Sequence, residues 1–449
     1  MEISGFCGAV IDPTHEEFES ARFGWNHMID RKPALIAVCE SVDDVVAAVS
    51  HASHASMKAA ARCGAHSVSG ASLPESGLVI DLSGLKEISV DPKAQIARVG
   101  GGVLLGELDA ATQAHGLAVT AGIEPETGVG GLTLGGGIGF LCRKLGLTID
   151  NLIGAQVVLA DGTIVEANEE VHADLFWALR GGGGQFGIVT RFDFRVHPVG
   201  PDIIVAHSYY PLAKAREVMR FVREFMHSAT DDVTLVPAFM KVPAVDIFPP
   251  DWHGLPCLAV IACHVGEQTA AKAELQPLLE LGDLIFGFID EMPYLEFQKT
   301  FAGASPEGGR FYWKSIFVDD LSDDLVDVMA EGISSLPGKY TLVFMETLGG
   351  AVSRVGVDET AFPNRHARYN LGLSAGWLDS AQDKQAVSAA RAWFEKLKQF
   401  SDGTVYLNYL DRDEAARKRA GFGPNYDRLC EVKKKYDPNN LFSGVLSAD

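Results

Sequence analysis

Three stretches of this sequence bring together residue types that do chemistry. In "RCGAHSVSG" (62–70), His66 stands between Gly64 and Gly70, beside Cys63 and a run of small residues. Glycine opens backbone conformations closed to other residues and lets another molecule approach the main chain. Consecutive N–H groups in such a turn form an anion-binding concavity, which would hold His66 as a reactive imidazole beside a bound phosphate. Taken alone, the nine residues are read more simply as a surface turn with a solvated histidine. A second glycine segment, "AGIEPETGVGGLTLGGGIGFLCRKLGLTIDNLIGA", covers 121–155. The third stretch, "VYLNYLDRD" (405–413), holds Tyr406 and Tyr409, whose hydroxyls are able to move a proton. Without further information these tyrosines are better read as rings of a core strand.

Two nucleotide motifs are excluded. Gly182-x-Gly184-x-x-Gly187 matches a dinucleotide fingerprint as a string, but it follows a helical run and opens a strand, the reverse of the required order. No GxxxxGK[ST] occurs, so there is no P-loop. What remains is a pair of long glycine loops whose backbones can approach a diphosphate and a planar ring.

The elements that must position these loops are legible in outline. "PALIAVCE" (33–40) predicts a buried strand, and "SVDDVVAAVSHAS" a helix capped by Ser41 with Val42, Val45, Val46 and Val49 at helical spacing. Residues 104–115 predict an amphipathic helix, and "QVVLADGTIVEAN" a hairpin turning at Asp161-Gly162. "RFYWKSIFV" and "YTLVFMETLGG" predict strands, and 379–400 a long helix capped by Asp379 or Ser380. At 449 residues the chain exceeds one compact core. The glycine-rich part to about 200 is expected to be one mixed unit, 201–402 a sheet with helices on one face, and 403–449 a tail. A net charge of −21 argues against nucleic-acid backbone binding. Seven scattered cysteines without a CxxC pair suggest neither a disulfide framework nor a zinc site. No secretory signal or membrane-length apolar run is read, so a cytoplasmic location is expected.

"ARCGAHSVSG", "GLVIDLSGL", "ATQAHGL", "GVGGLTLGGGIGFLCRKLGLTIDN", "DLFWALRGGGGQFGIVT" and "YDPNNLF" follow one another at intervals that resemble the berberine bridge enzyme-like FAD-linked oxidases, within the vanillyl-alcohol oxidase/p-cresol methylhydroxylase superfamily. The resemblance implies an α+β fold of two lobes. A PCMH-type FAD-binding domain spans 1–200 (its core about 30–200), 201–402 is an inserted substrate domain with an antiparallel sheet covered by helices, and 403–449 returns to the FAD domain. It implies FAD joined through its 8α-carbon to His66. Loop 62–67, with Arg62, Cys63, Gly64, Ala65 and Ser67, would then cradle the diphosphate, and Gly70 is a further implied cofactor contact. Gly122, Thr127, Gly128, Gly130, Gly131 and Leu132, with Gly136, Gly137 and Gly139, would run beside it and under the ring. Asn151, Gly187, Val189 and Asn408 are further implied cofactor contacts.

The implied activity is hydride transfer from a CH–OH or CH–NH centre of a small organic substrate to flavin N5, with reoxidation by O2 and release of hydrogen peroxide. A flavin dehydrogenase with poor oxygen reactivity and a flavin-carrying binding protein are the alternatives. Tyr409 is the first candidate for the base and Tyr406 the second. A phenol titrates near about 10, so a cation would have to lower it, and Lys314 is placed in that role or as a substrate contact. Glu346 and Trp313 are candidates for the substrate face. Thr127 stands where relatives govern oxygen access to the ring. Three departures stand out. Glu124 occupies the position of a cysteine that forms a second flavin link in many relatives, which leaves a single link. Cys63 and Ala65 replace glycines, so that Ala65 must take an ordinary backbone angle or bear strain. The tail ends "SGVLSAD" where relatives often have Arg-x-Asn.

Overall fold

The computed structural model describes residues 2–302, 306–401, 403–411, 413, 417–444 and 446; the end of the "SGVLSAD" tail lies largely outside them. The short apolar run of 33–40 forms the strand Leu35–Val38. The chain then turns into the helix Val42–His54, because Ser41 and Asp44 close a capping box. The Ser41 hydroxyl accepts from the Asp44 N–H at 3.2 Å, and the Asp44 carboxylate accepts from the Ser41 N–H at 3.1 Å. The first sheet has the order Ala9–Ile11, Leu35–Val38, Leu78–Asp81, Ala59–Arg62, with parallel pairing around Leu78–Asp81. A second, antiparallel sheet runs Ile88–Asp91, Ile96–Gly100, Ile188–Arg195, Leu152–Val158, Ile164–Ala167. Val45 and Val49 of the helix share a core with Val158 and Ile188, which joins the two sheets.

Seven strands between Asp202 and Trp377 form one antiparallel sheet, from the edge strand Phe286–Pro293 to the edge strand Arg310–Val318. Alternation along each strand gives the sheet two different faces. Leu235, Val260, Ile316 and Leu373 pack against the helices Ala215–Ser228, Asp323–Ser335 and Asp383–Leu397. Trp313, Phe344 and Glu346 lie on the other face, toward a large cavity. The helix expected over 379–400 begins later. Asp379 caps a short turn, Ser380–Gln382, and the regular helix starts at Asp383, whose carboxylate is held by Arg310 and the Trp377 indole.

The C-terminal helix Tyr426–Tyr436 returns to the first lobe, where Phe442 bridges to Ala59. The buried Lys433 ammonium fixes it, donating to Asp437 at 2.6 Å and to the Gln185 carbonyl at 2.7 Å. The protein is thus an α+β molecule of two lobes with a returning tail.

Where the lobes meet, Gln298 donates to Asp109 at 3.1 Å and to the Gly122 carbonyl at 3.2 Å. Asp109 is buried, its other oxygen has no partner among the described residues, and burial pushes its carboxyl up to about 7. Because the folded value lies above the ordinary one, the stability contributed by this group is full at low pH and is lost as pH rises through about 7. Between pH 6 and pH 8 that loss is about 1 kcal/mol. Thermal unfolding of Asp109→Asn is expected to show a correspondingly shallower fall in stability over this range; an unchanged slope would exclude Asp109 as its source.

Candidate active site

The first glycine loop leaves its strand at Arg62. The Arg62 guanidinium is buried against Asp81, with Nε at 2.9 Å, and donates also to the Ala21 carbonyl. Two residues on, the loop crosses the second glycine loop backbone to backbone. A Cβ at Gly64 would lie 2.3 Å from the Glu126 carbonyl oxygen and 2.6 Å from the Gly128 nitrogen, and one at Gly128 would lie 2.6 Å from Cys63 Sγ. Only glycine permits this approach from both sides. Ala65, the next residue, has φ +55°, so it bears the left-handed strain. Its carbonyl accepts from the Trp25 N–H at 3.1 Å.

The crossing opens a cavity of about 620 Å³ between the lobes. The backbone N–H groups of residues 65–69 donate to no acceptor among the described residues, and these residues line the cavity. That is a donor set for an anion. His66 stacks on Trp25, with ring centroids 5.5 Å apart, and burial pushes its imidazole down to about 4, so it is neutral and nucleophilic at neutral pH. Unbonded amides, glycine walls and a neutral imidazole together fit a cofactor with a diphosphate and a planar ring.

Of the expected cofactor residues, Cys63, Gly64, Ala65, His66 and Ser67 of the first loop line the cavity, as do Gly122, Thr127, Gly128, Gly130, Gly131 and Leu132 of the second, with Gly187, Val189 and Asn408. The others stand behind the wall. Arg62 anchors the loop, and Gly70 ends it at φ +70°, its carbonyl accepting from Arg31. Gly137 donates to Tyr406, and Gly139 and Gly136 pack tightly against Ala121 and Phe362. Asn151 bonds the Leu145 and Leu147 carbonyls at 3.0 Å and His197 at 2.7 Å. The Cys63 thiol bonds the Val103 carbonyl, and burial pushes it up to about 11.

At the other end of the cavity the tyrosine segment forms a 3-10 turn, Leu407–Tyr409, and not the strand that the residues alone favoured. A 3-10 turn eclipses positions three apart, so the Tyr406 and Tyr409 rings meet at 4.8 Å. Their hydroxyls nevertheless have different partners. The Tyr406 oxygen accepts from the N–H groups of Gly137 at 2.9 Å and Ile138 at 3.3 Å and from Asn408 Nδ2 at 2.9 Å. The Tyr409 hydroxyl donates to Glu346 Oε1 at 2.9 Å, and Asn370 Nδ2 donates to Glu346 Oε2 at 2.6 Å. Glu346 is 8% exposed, and burial outweighs these bonds, so its carboxyl is pushed up to about 7.

Lys314 does not join this group. Alternation turns it to the helix-covered face of its strand, opposite Trp313, where its ammonium pairs with Asp413 at 2.6 Å. Among the described residues no cation lowers the tyrosines: burial, with the charge of Glu346, raises both. Two contributors had no sequence signal. Trp25 stacks between His66 and Phe311, and Asn370 meets Glu346 only through strand register. Thr127 lines the cavity, with its carbonyl accepting from the Leu105 N–H at 2.9 Å.

Comparison with known proteins agrees with this geometry. Residues 33–168 match the family model described as FAD binding domain, and 405–447 the one described as berberine and berberine like. An FAD-linked oxidoreductase of Dictyostelium discoideum is 30% identical, over 98% of this chain and 95% of its own. Among solved structures, BBE-like 1 of Physcomitrella patens superposes with TM-score 0.88 at 26% identity, covering 98% and 97% of the two chains. Xylooligosaccharide oxidase of Myceliophthora thermophila, solved with xylobiose, superposes with TM-score 0.86 at 25% identity, covering 98% of each.

Relieving Ala65 of its left-handed angle is expected to stabilise the protein. Ala65→Gly should gain about 1 kcal/mol in thermal or denaturant unfolding. A loss of stability would show that the loop does not depend on that angle.

Proposed function

The chain belongs to the berberine-bridge-like FAD-linked oxidoreductases, and from that premise we propose that it is an oxidase of small CH–OH or CH–NH substrates, carrying FAD tethered through His66 alone. Glu124 stands where a second link would need a thiol, and the half-buried Cys63 thiol is bonded to a carbonyl. When bound, the flavin supplies a two-electron acceptor for the substrate's hydride and hands both electrons to O2, giving hydrogen peroxide.

The observation that carries this reading is the chain Tyr409–Glu346–Asn370 at the cavity wall. The Tyr409 proton is committed to Glu346, which leaves the phenol oxygen's lone pairs to accept the proton of a substrate O–H or N–H. With its own value raised, Tyr409 does not keep that proton; it relays its own to Glu346, whose carboxyl near 7 is matched to neutral pH. The substrate carbon thus loses a hydride and its heteroatom a proton, which yields a carbonyl or an imine. Asn370 fixes the carboxylate plane, and Tyr406 holds the turn of the second loop through Gly137 and Ile138. Trp313 and Phe344 flank the pair and keep water from it. Thr127, a small side chain of the second loop at the cavity wall, would leave room for oxygen beside the bound cofactor.

A panel of alcohols and amines mixed anaerobically with the holoprotein is expected to bleach the flavin, with recovery in air and one peroxide per turnover. With any substrate found this way, kcat/KM should rise with pH through about 7 as Glu346 ionises. Glu346→Gln should lose on the order of 10²- to 10⁴-fold in kcat/KM together with that ionisation, and Tyr409→Phe a similar factor. Bleaching without recovery in air would instead mark a dehydrogenase, and a fully active Glu346→Gln would remove the proton route.

A further inference from the structure

The substrate end of the cavity has an unusual make-up for a site that faces polar ligands. Three rings on the wall that carries Glu346 pack on one another: Trp313 to Phe344 at 5.7 Å, Trp313 to Tyr409 at 4.7 Å, and Phe344 to Tyr409 at 5.9 Å, with interplanar angles of 73°, 43° and 81°. Val236 and Leu342 extend the same wall. Within this apolar surround, Glu346 accepts two hydrogen bonds yet has no ion pair among the described residues, and the buried Asn370 beside it keeps an unpartnered carbonyl oxygen. Glu124, another carboxyl of the lining, is likewise raised to about 7 by burial. Of the basic residues in the lining, Arg31 is held on the Gly70 and Leu73 carbonyls of the first loop, burial keeps His66 neutral, and Lys418 belongs to the short helix Lys418–Phe422.

We infer that the substrate is a protonated amine borne on a planar apolar body, with Glu346 as its counter-charge and Trp313, Phe344 and Tyr409 as its cage. This deepens the oxidase reading and rests on it. A cation over aromatic faces is held by the ring quadrupoles, more strongly where water is excluded, and it supplies the charge that the buried carboxylate lacks. A sugar would set its hydroxyls against these ring faces as well as against Tyr340, Ser374 and the unpartnered Trp313 Nε1, and each one left unpaired weakens binding. The other titratable groups facing Glu346 are Tyr409 and Tyr406 from the C-terminal turn and Cys142 from the short helix Cys142–Leu145. Burial raises all three, Cys142 to about 12, so they stay neutral while Glu346 titrates. Affinity for a cation therefore rises with pH through about 7.

The test is equilibrium titration of the holoenzyme, read by perturbation of the flavin absorption spectrum. The probes are benzyltrimethylammonium, its neutral isostere neopentylbenzene, and xylobiose. At pH 8 the ammonium should bind about tenfold or more tighter than the isostere. That advantage should shrink several-fold at pH 6 and disappear in Glu346→Gln. Trp313→Leu, which keeps the carboxylate, should weaken the ammonium several-fold and the isostere less. Equal affinity for ammonium and isostere, or tighter binding of xylobiose, with the flavin spectrum intact, overturns the amine assignment and leaves the oxidase reading standing. A holoprotein preparation with no flavin spectrum overturns both.

Discussion

The backbone crossing of Gly64 and Gly128 is the contact on which the rest of the site depends. A Cβ on either residue would overlap the opposite loop, so the two loops approach only because both positions lack one. The approach leaves the amides of residues 65–69 without acceptors among the described residues and sets His66 against Trp25 in the cavity wall. It also imposes a cost, which Ala65 bears as a left-handed backbone angle. The buried Arg62–Asp81 pair anchors the first loop, and the Gln298 bridge to the Gly122 carbonyl anchors the second.

Burial does the chemical tuning. The same low-dielectric cavity pushes His66 down to about 4 and Glu346 up to about 7, because in each case the charged form loses its water. A neutral imidazole is the form that attacks carbon, and a carboxyl near 7 is the form that exchanges protons at neutral pH. Tyr409 is raised by the same burial, which suits a hydroxyl that relays a proton and never rests as phenolate. Among the described residues no cationic side chain stands beside the tyrosines, which leaves the carboxylate open to a positive charge on the ligand.

Much of this was legible in the sequence where one residue type has one physical use. The Ser41 cap and the Asp161-Gly162 turn are of that kind, and the structure places both as expected, while it brings only part of the glycine loops to the cavity wall. So is the strand Arg310–Val318, although its period of two also shows that Trp313 and Lys314 cannot share a face. The cation role expected of Lys314 fails on that rule. Gly136, Gly137 and Gly139 look like cofactor glycines, yet their freedom serves turns and close packing behind the wall. Asn151 spends its amide on backbone carbonyls. Asn370 and Trp25 were not legible, because strand register and a stacking partner far along the chain bring them to the site.

The central claim, that this cleft holds FAD by a single bond to His66, is tested most directly on the unfolded chain. Acid precipitation of the purified protein, followed by a visible spectrum and an intact mass, separates a tethered flavin from a free one. A yellow pellet with the mass of the chain plus one FAD, lost in His66→Ala, is the predicted result. A colourless pellet with the mass of the chain alone, even after incubation with FAD, would contradict it.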